Sequence, residues 1–599
     1  MTTEKIPTNL DPRLQKAIVK SQQRELNTLD ESVKEEKLIS VIAKITDIDI
    51  FCAIPGVHHE NDITIAPDKS GRIVTAKVSV SELEKVRQSP VVLSLKGAQP
   101  LKPLLKDTNK EIDVPPLIGA EIEGGKGVIV GIVDHGCDFV HKNFRRDDGS
   151  TRLLALFDQR NDKVYSKEEI NESLQTDNPY NTLGYNVNTR AHGTHVMDIA
   201  AGNGLGTRVK GVASNADLIF VEPFYWDIAD GDLGNFGDSS NLLEAIKFIF
   251  EQAGDQPCVV NISLGTNGGS HDGTSLVEQG IDGLIIDKPN RAVVIAAGNS
   301  YDDNIHATGS IPQGGYIDLH WDMSEGDFTR NELEVWYDGK DEFHLEIINP
   351  ENESICNIGL KENFLNQKIY ATQVQHDDDN GDNVAMVFYP LERRVSPGTW
   401  TIRLHGVRVT NGKFHAWIER DNHLRGVQSK FAPPNDNTHT LGSVCCGHKS
   451  IVVGSYDAKS SDTPISFFSS AGPTRDGRQK PEISAPGGSP PIGVQAASSR
   501  TLDKTIGMSG TSMAAPAVTG VIALMLSEAK AHGLTLTIDQ IRNILEETAR
   551  YHHPVGEEWD NRYGHGRIDA RAAIAAVTAM VEDSENNDVG QPDLLLKEK

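Results

Sequence analysis

The sequence predicts an α/β protein: a parallel sheet sandwiched by helices, preceded by a small α+β domain and interrupted by an inserted β-sandwich. From Gly127 onward, continuous Val/Ile runs alternate with helical segments, which is typical of a parallel sheet covered on both faces. Between about Tyr301 and Pro434, short alternating stretches separated by Gly, Pro and Asn turns favour an antiparallel sandwich of jelly-roll type. Before residue 110, a polar helical stretch precedes paired alternating strands, which indicates an α+β domain.

The apolar runs predict the position of a functional site. Ligands of open parallel sheets bind beyond the carboxyl ends of the strands. In this chain Asp134 ends the run GVIVGIVD, Ser263 to Gly265 end CVVNISLG, and Asn299 follows RAVVIAAG. We therefore expect these residues to meet at one edge of the sheet.

The length of 599 residues predicts three or four structural units. A Pro- and Lys-rich stretch from Gln99 to Pro116 is interpreted as a linker between the first two. The predicted organisation has five parts: an α+β domain with linker at 1–110, a first catalytic part at 117–300, the inserted β domain at 301–434, a second catalytic part at 440–580 and an acidic disordered tail at 581–599.

Composition disfavours several classes of function. The net charge of -27 repels nucleic-acid phosphates and anionic membrane surfaces, so neither partner is expected. Met1 to Leu10 contain no apolar core of a signal peptide, no later segment is expected to reach membrane-spanning length, and we expect a cytoplasmic protein. The six cysteines are too sparse for a disulfide scaffold and are expected to be free thiols, including the adjacent Cys445 and Cys446.

Four residues supply the groups that serine-based amide hydrolysis requires. Asp134 is the candidate orienting carboxylate, His192 in AHGTHVMDIAAG the candidate base, and Ser512 in GMSGTSMAAPAVTG the candidate nucleophile at the start of a helix. Asn299 offers a side-chain amide to the oxyanion beside the backbone N–H of Ser512. Each motif alone is more often a cap, a turn or a packed helix start; their joint occurrence favours the catalytic interpretation.

The motifs DHG, HGTHV, SLG, AAGN and GTSMAAP occur in the order found in the subtilisin-like serine proteases, the subtilases, which this chain resembles. The segments FFSSAGPTRDGRQKPEISAPGG and YGHGRIDARAA extend the resemblance. It implies a serine endopeptidase acting on proteins or peptides through an acyl-enzyme. It also implies that Ser263, Leu264 and Gly265 bind substrate backbone and form one wall of the S1 pocket, with Ala296, Ala297 and Gly298 as the other wall.

The insertion after Asn299 and the segment GGSHDGTS resemble the bacterial Csp-type subgroup, which includes the clostridial Csp proteases of spore germination and carries an inserted jelly-roll domain. Some members of that subgroup are pseudoproteases with broken triads, whereas this chain retains all three residues. His195, one turn beyond His192, is interpreted as structural, and His135 beside Asp134 as a wall residue rather than a second base.

The N-terminal domain resembles the propeptide of the family. That resemblance implies an intramolecular inhibitor that fills the cleft and is cut by the enzyme itself between about residues 96 and 116. Two alternatives stay open: a permanent accessory domain, and a pseudoprotease scaffold whose cleft remains plugged by residues 1–110. An esterase is disfavoured because the chain has no GxSxG elbow.

No metal or other cofactor is assigned from the sequence. Calcium is common in the family, but Asn143 occupies the position where a carboxylate is expected, and an Asn side chain offers one oxygen at most. The acidic run from Asp377 to Asp382 resembles a cation loop in composition, yet its Asn380-Gly381 pair is more simply a hairpin turn. Calcium is therefore possible and left unassigned.

Overall fold

The structure is a computed structural model. Backbone and side chains are described for most of the chain, and the backbone alone for residues 102–103 and 581–588. The described residues are 10–16, 18–19, 38–98, 102–103, 112, 124–223, 239–325, 327, 331–366, 369–388, 396–420, 428–460, 462–550 and 557–588.

A central eight-stranded sheet confirms the α/β class. All neighbouring strands are parallel except the last pair, and every residue of Ile129–Val133 is buried, which requires cover on both faces of the sheet. The strands in spatial order are Ile483–Pro486, Ile451–Tyr456, Arg291–Ala296, Cys258–Ile262, Ile129–Val133, Asp217–Glu222, Leu153–Asp158 and Lys163–Ser166.

Two pairs of helices supply most of this cover. Ser239–Ala253 packs against Leu276–Ile286, and His192–Ala201 packs against Thr511–Ala531. The remaining α-helices of the described catalytic part are Lys167–Leu174, Pro179–Leu183, Ile538–Glu547 and Ala570–Asp588. The shorter elements are the 3₁₀ turns Lys142–Phe144 and Ser443–Cys445 and the paired strands Val494–Ala497 and Thr505–Met508.

The helix Thr511–Ala531 corrects one expectation from the sequence. Among the described residues, it is the one helix whose length and composition would allow it to cross a membrane. Yet 94% of its apolar window is buried inside the protein. A helix that is apolar on all sides is also what the centre of a large core requires.

The N-terminal unit is a four-stranded antiparallel sheet. Its described helical residues are 12–16, 18–19, Ile48–Cys52 and Leu83–Arg87, together with the 3₁₀ turn Val80–Glu82. Its strands in spatial order are Val57–Ile65, Arg72–Ser79, Leu38–Ile45 and Val92–Gly97. The sheet lies on the helix pair Ser239–Ala253 and Leu276–Ile286, where Lys247 Nζ donates to Asn61 Oδ1 at 2.9 Å. Gly283 permits this close approach, because a Cβ there would lie 2.6 Å from Thr64 Cγ2.

The inserted region forms two antiparallel sheets that share one core, which includes Trp321, Trp400 and Trp417. The six-stranded sheet has the order His306–Ser310, Lys413–Ile418, Glu332–Tyr337, Asn383–Phe388, Tyr370–Val374 and Asn363–Leu365. The five-stranded sheet has the order Ser354–Ile358, Glu342–Ile348, Gly398–Arg408, Tyr316–Met323 and Lys430–Phe431. This is the expected β-sandwich; its jelly-roll topology stays a prediction.

One local expectation differs from the structure, and another agrees with it. The tail predicted to begin at residue 581 is helical in its first part, because the helix from Ala570 continues to Asp588; residues 589–599 lie outside the described residues. Asn380-Gly381 lies in a hairpin connection, as the sequence predicts. This connection joins Tyr370–Val374 to Asn383–Phe388, and Gly381 has a φ of 78° in it.

Gly131 in the central strand offers a test of the packing. A Cβ at this position would lie 2.5 Å from Ile249 Cγ2 and 3.3 Å from Val260 Cγ2. We predict that Gly131→Ala lowers the free energy of unfolding by about 1–3 kcal/mol, because the helix Ser239–Ala253 must shift. Calorimetry should show a lower melting temperature. The free energy of unfolding lost by the double variant Gly131→Ala/Ile249→Ala should be smaller than the sum of the losses of the two single variants. Strictly additive losses would contradict the contact between residues 131 and 249.

Candidate active site

The candidate carboxylate and base are in direct contact. His192 Nδ1 donates to Asp134 Oδ1 at 2.5 Å, and both side chains are buried. Asp134 follows the strand Ile129–Val133, and His192 begins the helix His192–Ala201. This hydrogen bond assigns the Nδ1 proton and leaves the other ring nitrogen of His192 as the basic atom.

The loop after Asp134 positions the start of the His192 helix. Gly193 N donates to His135 O at 2.6 Å, and the hydroxyl of Thr194 donates to Gly136 O at 2.8 Å. Glycine is required at position 193, since a Cβ would lie 2.5 Å from Phe220 Cζ and 2.9 Å from His135 O. The HGTH motif is therefore a packing signal as well as a catalytic one.

Ser512 lies in the first turn of Thr511–Ala531 and is hydrogen-bonded reciprocally to Ser263. Its Oγ donates to Ser263 O at 3.2 Å, and Ser263 Oγ donates to Ser512 O at 3.1 Å. Pro516 explains the second bond: it has no N–H, so the carbonyl of Ser512 lacks the usual helical donor four residues on. Ser263 is level with Asp134, because Ile262 pairs with Val133 in the parallel sheet.

Asn299 is oriented by Thr511, the residue before the candidate nucleophile. The backbone N and the Oγ1 of Thr511 each donate to Asn299 Oδ1 at 3.0 Å. With Oδ1 engaged in this way, the Nδ2 group is the part of the amide that remains for an oxyanion. The structure therefore brings Asp134, His192, Ser512 and Asn299 to one edge of the sheet.

The predicted substrate strand is already paired in this structure. Leu264–Gly265 forms an antiparallel ladder with Lys102–Pro103, in which Leu264 faces Pro103 and Gly265 faces Lys102. The second strand belongs to the linker that follows the N-terminal domain. The chain thus occupies the edge at which a peptide substrate would add a strand.

The opposite predicted wall, Ala296 to Gly298, ends the strand Arg291–Ala296. Gly298 has a φ of 111°, and a Cβ there would lie 2.7 Å from Ser470 Oγ, so a side chain is excluded. A segment that sequence reasoning did not place connects the two walls: Gly442 N donates to Ala297 O at 3.1 Å, and Ser443 N donates to Thr266 O at 2.9 Å.

We name this connecting segment, residues 440–446, the S1 floor because it joins the two predicted walls; its contact with substrate stays a prediction. It includes the adjacent Cys445 and Cys446, which are buried free thiols; Cys445 Sγ donates to Ala296 O at 3.3 Å. The one sequence signal that could have located it is its position directly after the insertion, where the α/β pattern resumes.

The two other histidines near the triad have different partners: backbone oxygens for His195 and carboxylates for His135. Buried His195 lies with Nε2 3.3 Å from Val494 O and 3.2 Å from Ile506 O, which fits the structural interpretation. His135 is also largely buried, its Nδ1 lies 3.6 Å from Glu222 Oε1, and its N–H donates to Asp134 Oδ1 at 2.6 Å.

Both calcium candidates are engaged in other contacts. Asn143 Oδ1 accepts from the backbone N of Gly206 and Thr207 at 2.8 and 3.1 Å, and its Nδ2 donates to Asp198 Oδ1 at 2.6 Å. In the acidic run, Asp377 and Asp379 lie 2.6 and 3.5 Å from Lys96 Nζ. These oxygens serve loop and domain contacts, and calcium stays unassigned.

Comparisons with known proteins agree with this geometry. A family model described as "Subtilase family" matches residues 125–316 and 419–566, which together are more than half of the chain. The chain is 34% identical over 151 residues to serine protease AprX of Bacillus subtilis, covering 23% of this chain and 32% of that protein. It is 24% identical over 582 residues to the PII-type proteinase of Lacticaseibacillus paracasei, covering 84% and 28%.

Among solved structures, the CspB protease of Clostridium perfringens matches with a TM-score of 0.69 and 26% identity, covering 79% of this chain and 99% of that one. Fold, site and family model together define a protein of the subtilisin-like serine protease class. The chain belongs to the subtilase family. It spans about a third or less of the length of these two curated relatives.

A buried carboxyl beside the S1 floor gives a pH-dependent prediction. Burial raises the pKa of Glu278 to about 8, while Ser275 Oγ and Cys446 N donate hydrogen bonds to it at 2.6 and 2.7 Å. Since the folded pKa exceeds the ordinary 4.5, this group stabilises the fold at low pH, and the contribution is lost as pH rises through about 8.

We therefore predict that Glu278→Gln reduces the loss of melting temperature that the parent shows as pH rises from 4.5 to about 8. Thermal unfolding at a series of pH values measures it. Glu251→Gln is the matched control, because the Glu251 side chain is 60% exposed and should leave the profile unchanged. A Glu278→Gln profile identical to that of the parent would contradict the assignment.

Proposed function

We propose that this chain is a serine endopeptidase whose N-terminal domain occupies the substrate cleft and is released by the enzyme's own cleavage. The observation that carries the proposal is the strand Lys102–Pro103, paired with Leu264–Gly265 beside Ser512 and the Asp134–His192 pair. The names of the relatives above, each a protease or a proteinase, support the same chemistry.

The mechanism follows from the positions of these groups. Ser512 Oγ attacks the peptide carbonyl carbon as its proton passes to His192, whose ring Asp134 orients. The negative charge that develops on the carbonyl oxygen is stabilised by Asn299 Nδ2 and the N-terminal end of the helix Thr511–Ala531. His192 then protonates the leaving amine, and water hydrolyses the acyl-enzyme with the same histidine as base.

The pairing of Lys102–Pro103 gives the direction of the bound chain. The antiparallel register places Lys102 opposite Gly265 and Pro103 opposite Leu264, so the linker runs toward Ser263 and the nucleophile. A peptide bond on the C-terminal side of Pro103 is therefore the one presented to Ser512. We place self-cleavage between Pro103 and residue 116, within the range that the sequence suggests.

The N-terminal domain also has a second docking surface, on the inserted sandwich. Arg13 Nη2 lies 2.5 Å from Glu334 Oε1, and Arg87 Nη2 lies 2.6 Å from Asp378 Oδ2. Gln15 Oε1 accepts hydrogen bonds from the hydroxyls of Tyr370 and Thr372 at 2.6 and 2.9 Å. These contacts support an inhibitor that is anchored outside the cleft as well as inside it.

The substrate class is proteins or peptides. Apart from Leu264, both S1 walls are built from small residues, and Gly298 and Gly442 lack side chains, so we expect the pocket to accept a sizeable residue. A broad or a protein-specific cleavage pattern is compatible with such a pocket.

We predict that Ser512→Ala prevents removal of the N-terminal domain, because the nucleophile is lost while the helix start is kept. Intact-mass analysis of the purified wild type and Ser512→Ala measures this directly. The wild type should be shortened between Pro103 and residue 116, and the variant should retain the full 65.3 kDa chain. Equal shortening of both proteins would contradict the assignment of Ser512 and of self-cleavage.

We also predict that Asn299→Ala lowers kcat for a peptide substrate by roughly 10²–10³-fold with little change in KM, since the oxyanion forms only after attack. Thr511→Val removes the hydroxyl donor and keeps the backbone N–H that holds Asn299, so its loss should be smaller. Steady-state kinetics on the processed enzymes tests both. Full activity of Asn299→Ala would show that another donor stabilises the oxyanion.

A further inference from the structure

Three histidines far apart in sequence meet beside the S1 floor. They are His306 and His415 on adjacent strands of the six-stranded sheet, and His439 in the segment that returns from the sandwich to the catalytic part. One ring nitrogen of each lies within 4.8 Å of one ring nitrogen of the other two. His306 is fully buried, and the other two are partly exposed, which leaves a route from solvent.

Strand register places two of these rings on one face. His306 pairs across the strands with Trp417, and Thr308 pairs with His415. Residues two apart on a strand point to the same side, so His306, His415 and Trp417 share that face. Trp417 then positions the third histidine, because its Nε1 donates to His439 O at 2.8 Å.

In metal sites, a histidine that binds the ion with one ring nitrogen is usually held in place by a hydrogen bond at the other ring nitrogen. His306 and His439 each have such a hydrogen bond. His306 Nδ1 lies 3.1 Å from Asp436 O, and since a carbonyl only accepts, Nδ1 carries the proton and Nε2 keeps its lone pair. Without an ion, His415 Nδ1 donates a hydrogen bond to His306 Nε2 at 3.0 Å. This separation is a little less than the roughly 3.3 Å between two ligands of a tetrahedral zinc ion, so a bound ion would replace the hydrogen bond. His439 Nδ1 lies 2.7 Å from Thr438 Oγ1, which leaves Nε2 as its ligand atom.

The backbone of His439 is an independent sign that its side chain is needed. Its φ is 55°, a left-handed conformation that is uncommon for residues other than glycine. Such conformations persist where the surrounding structure or a function requires them. Glycine would relieve the strain but would remove the imidazole from the cluster.

A positively charged side chain near the cluster is neutralised by acidic partners. Arg475 is a nearby cation, but it is paired with Asp272 Oδ2 at 2.5 Å and with Asp382 Oδ2 at 2.6 Å.

We propose that His306, His415 and His439 bind one divalent transition-metal ion of the zinc class, which fastens the end of the inserted sandwich to the S1 floor. Three imidazoles with a water in the fourth position are a common zinc coordination, and nitrogen ligands select this group of ions over calcium or magnesium. His439 directly precedes the floor segment 440–446, so the ion holds that segment at its first residue. The proposal does not depend on proteolytic activity.

The test uses the full chain with Ser512→Ala, so that binding is measured without self-cleavage. After treatment with a chelator, Zn²⁺ is added in a calorimetric titration, and Co²⁺ binding is followed by its visible absorption, which reports coordination geometry. We expect one equivalent of metal per chain, a tetrahedral cobalt spectrum and a higher melting temperature with zinc.

Further variants, His415→Gln and His439→Gln, should each weaken Zn²⁺ binding by at least about 10-fold. His405→Gln is the matched control: this histidine lies on the same sandwich, pairs with Glu346 at 2.9 Å and should leave binding unchanged. Circular dichroism of the metal-free variants checks that each is folded. Absence of stoichiometric binding in the parent, or parental affinity in both cluster variants, would overturn the proposal.

Discussion

The in-register pairing of three central parallel strands is the constraint on which the site depends. Ile262 pairs with Val133 on one side and with Ile295 on the other, so the three strands end within one residue of the same level. The next residues are therefore Asp134, Ser263 and Ala296, which begin the carboxylate loop, the substrate strand and the S1 wall. The helix of Ser512 is fastened to the middle strand by side chains: Thr519 Oγ1 donates to Asn261 Oδ1 at 3.1 Å, and Asn261 Nδ2 donates to Ser263 Oγ at 2.9 Å.

The strand edge Leu264–Gly265 explains why an inhibitory segment and a substrate would compete for the same place. An exposed strand edge presents unpaired backbone groups that a further strand satisfies. Lys102–Pro103 satisfies them from within the same chain, and a tethered segment has an effective concentration in the millimolar range for short linkers. A free peptide would have to overcome this advantage, so the proposed inhibition requires no change in the catalytic groups.

Local patterns were sufficient to predict the five central strands of the sheet and the site residues at the ends of three of them. The runs around Asp134, Ser263 and Asn299 are continuous and apolar, and the structure places all three at the sheet edge. The S1 floor and the cluster of His306, His415 and His439 could not be predicted, because their contacts join residues on either side of the inserted strands. The hydrophobic periodicity of a sequence does not indicate which distant residues come into contact. The sequence-based prediction began the disordered tail too early in the chain. The charged last turns of the helix from Ala570 lack the apolar stripe by which helices are recognised.

The position of the inserted sandwich couples it to both sides of the S1 pocket. The chain leaves the catalytic part after the wall Ala296 to Gly298 and returns at the floor, 440–446. Glu419, just past the strand Lys413–Ile418, accepts hydrogen bonds from the backbone N of Asn267 and Gly268 at 2.8 and 3.0 Å, directly after the substrate strand. On the same strand, Trp417 stacks on His271 with ring centroids 4.0 Å apart. This strand and the residue after it therefore hold the segment that follows the wall Ser263 to Gly265, so a shift of the strand would change the shape of the pocket on that side.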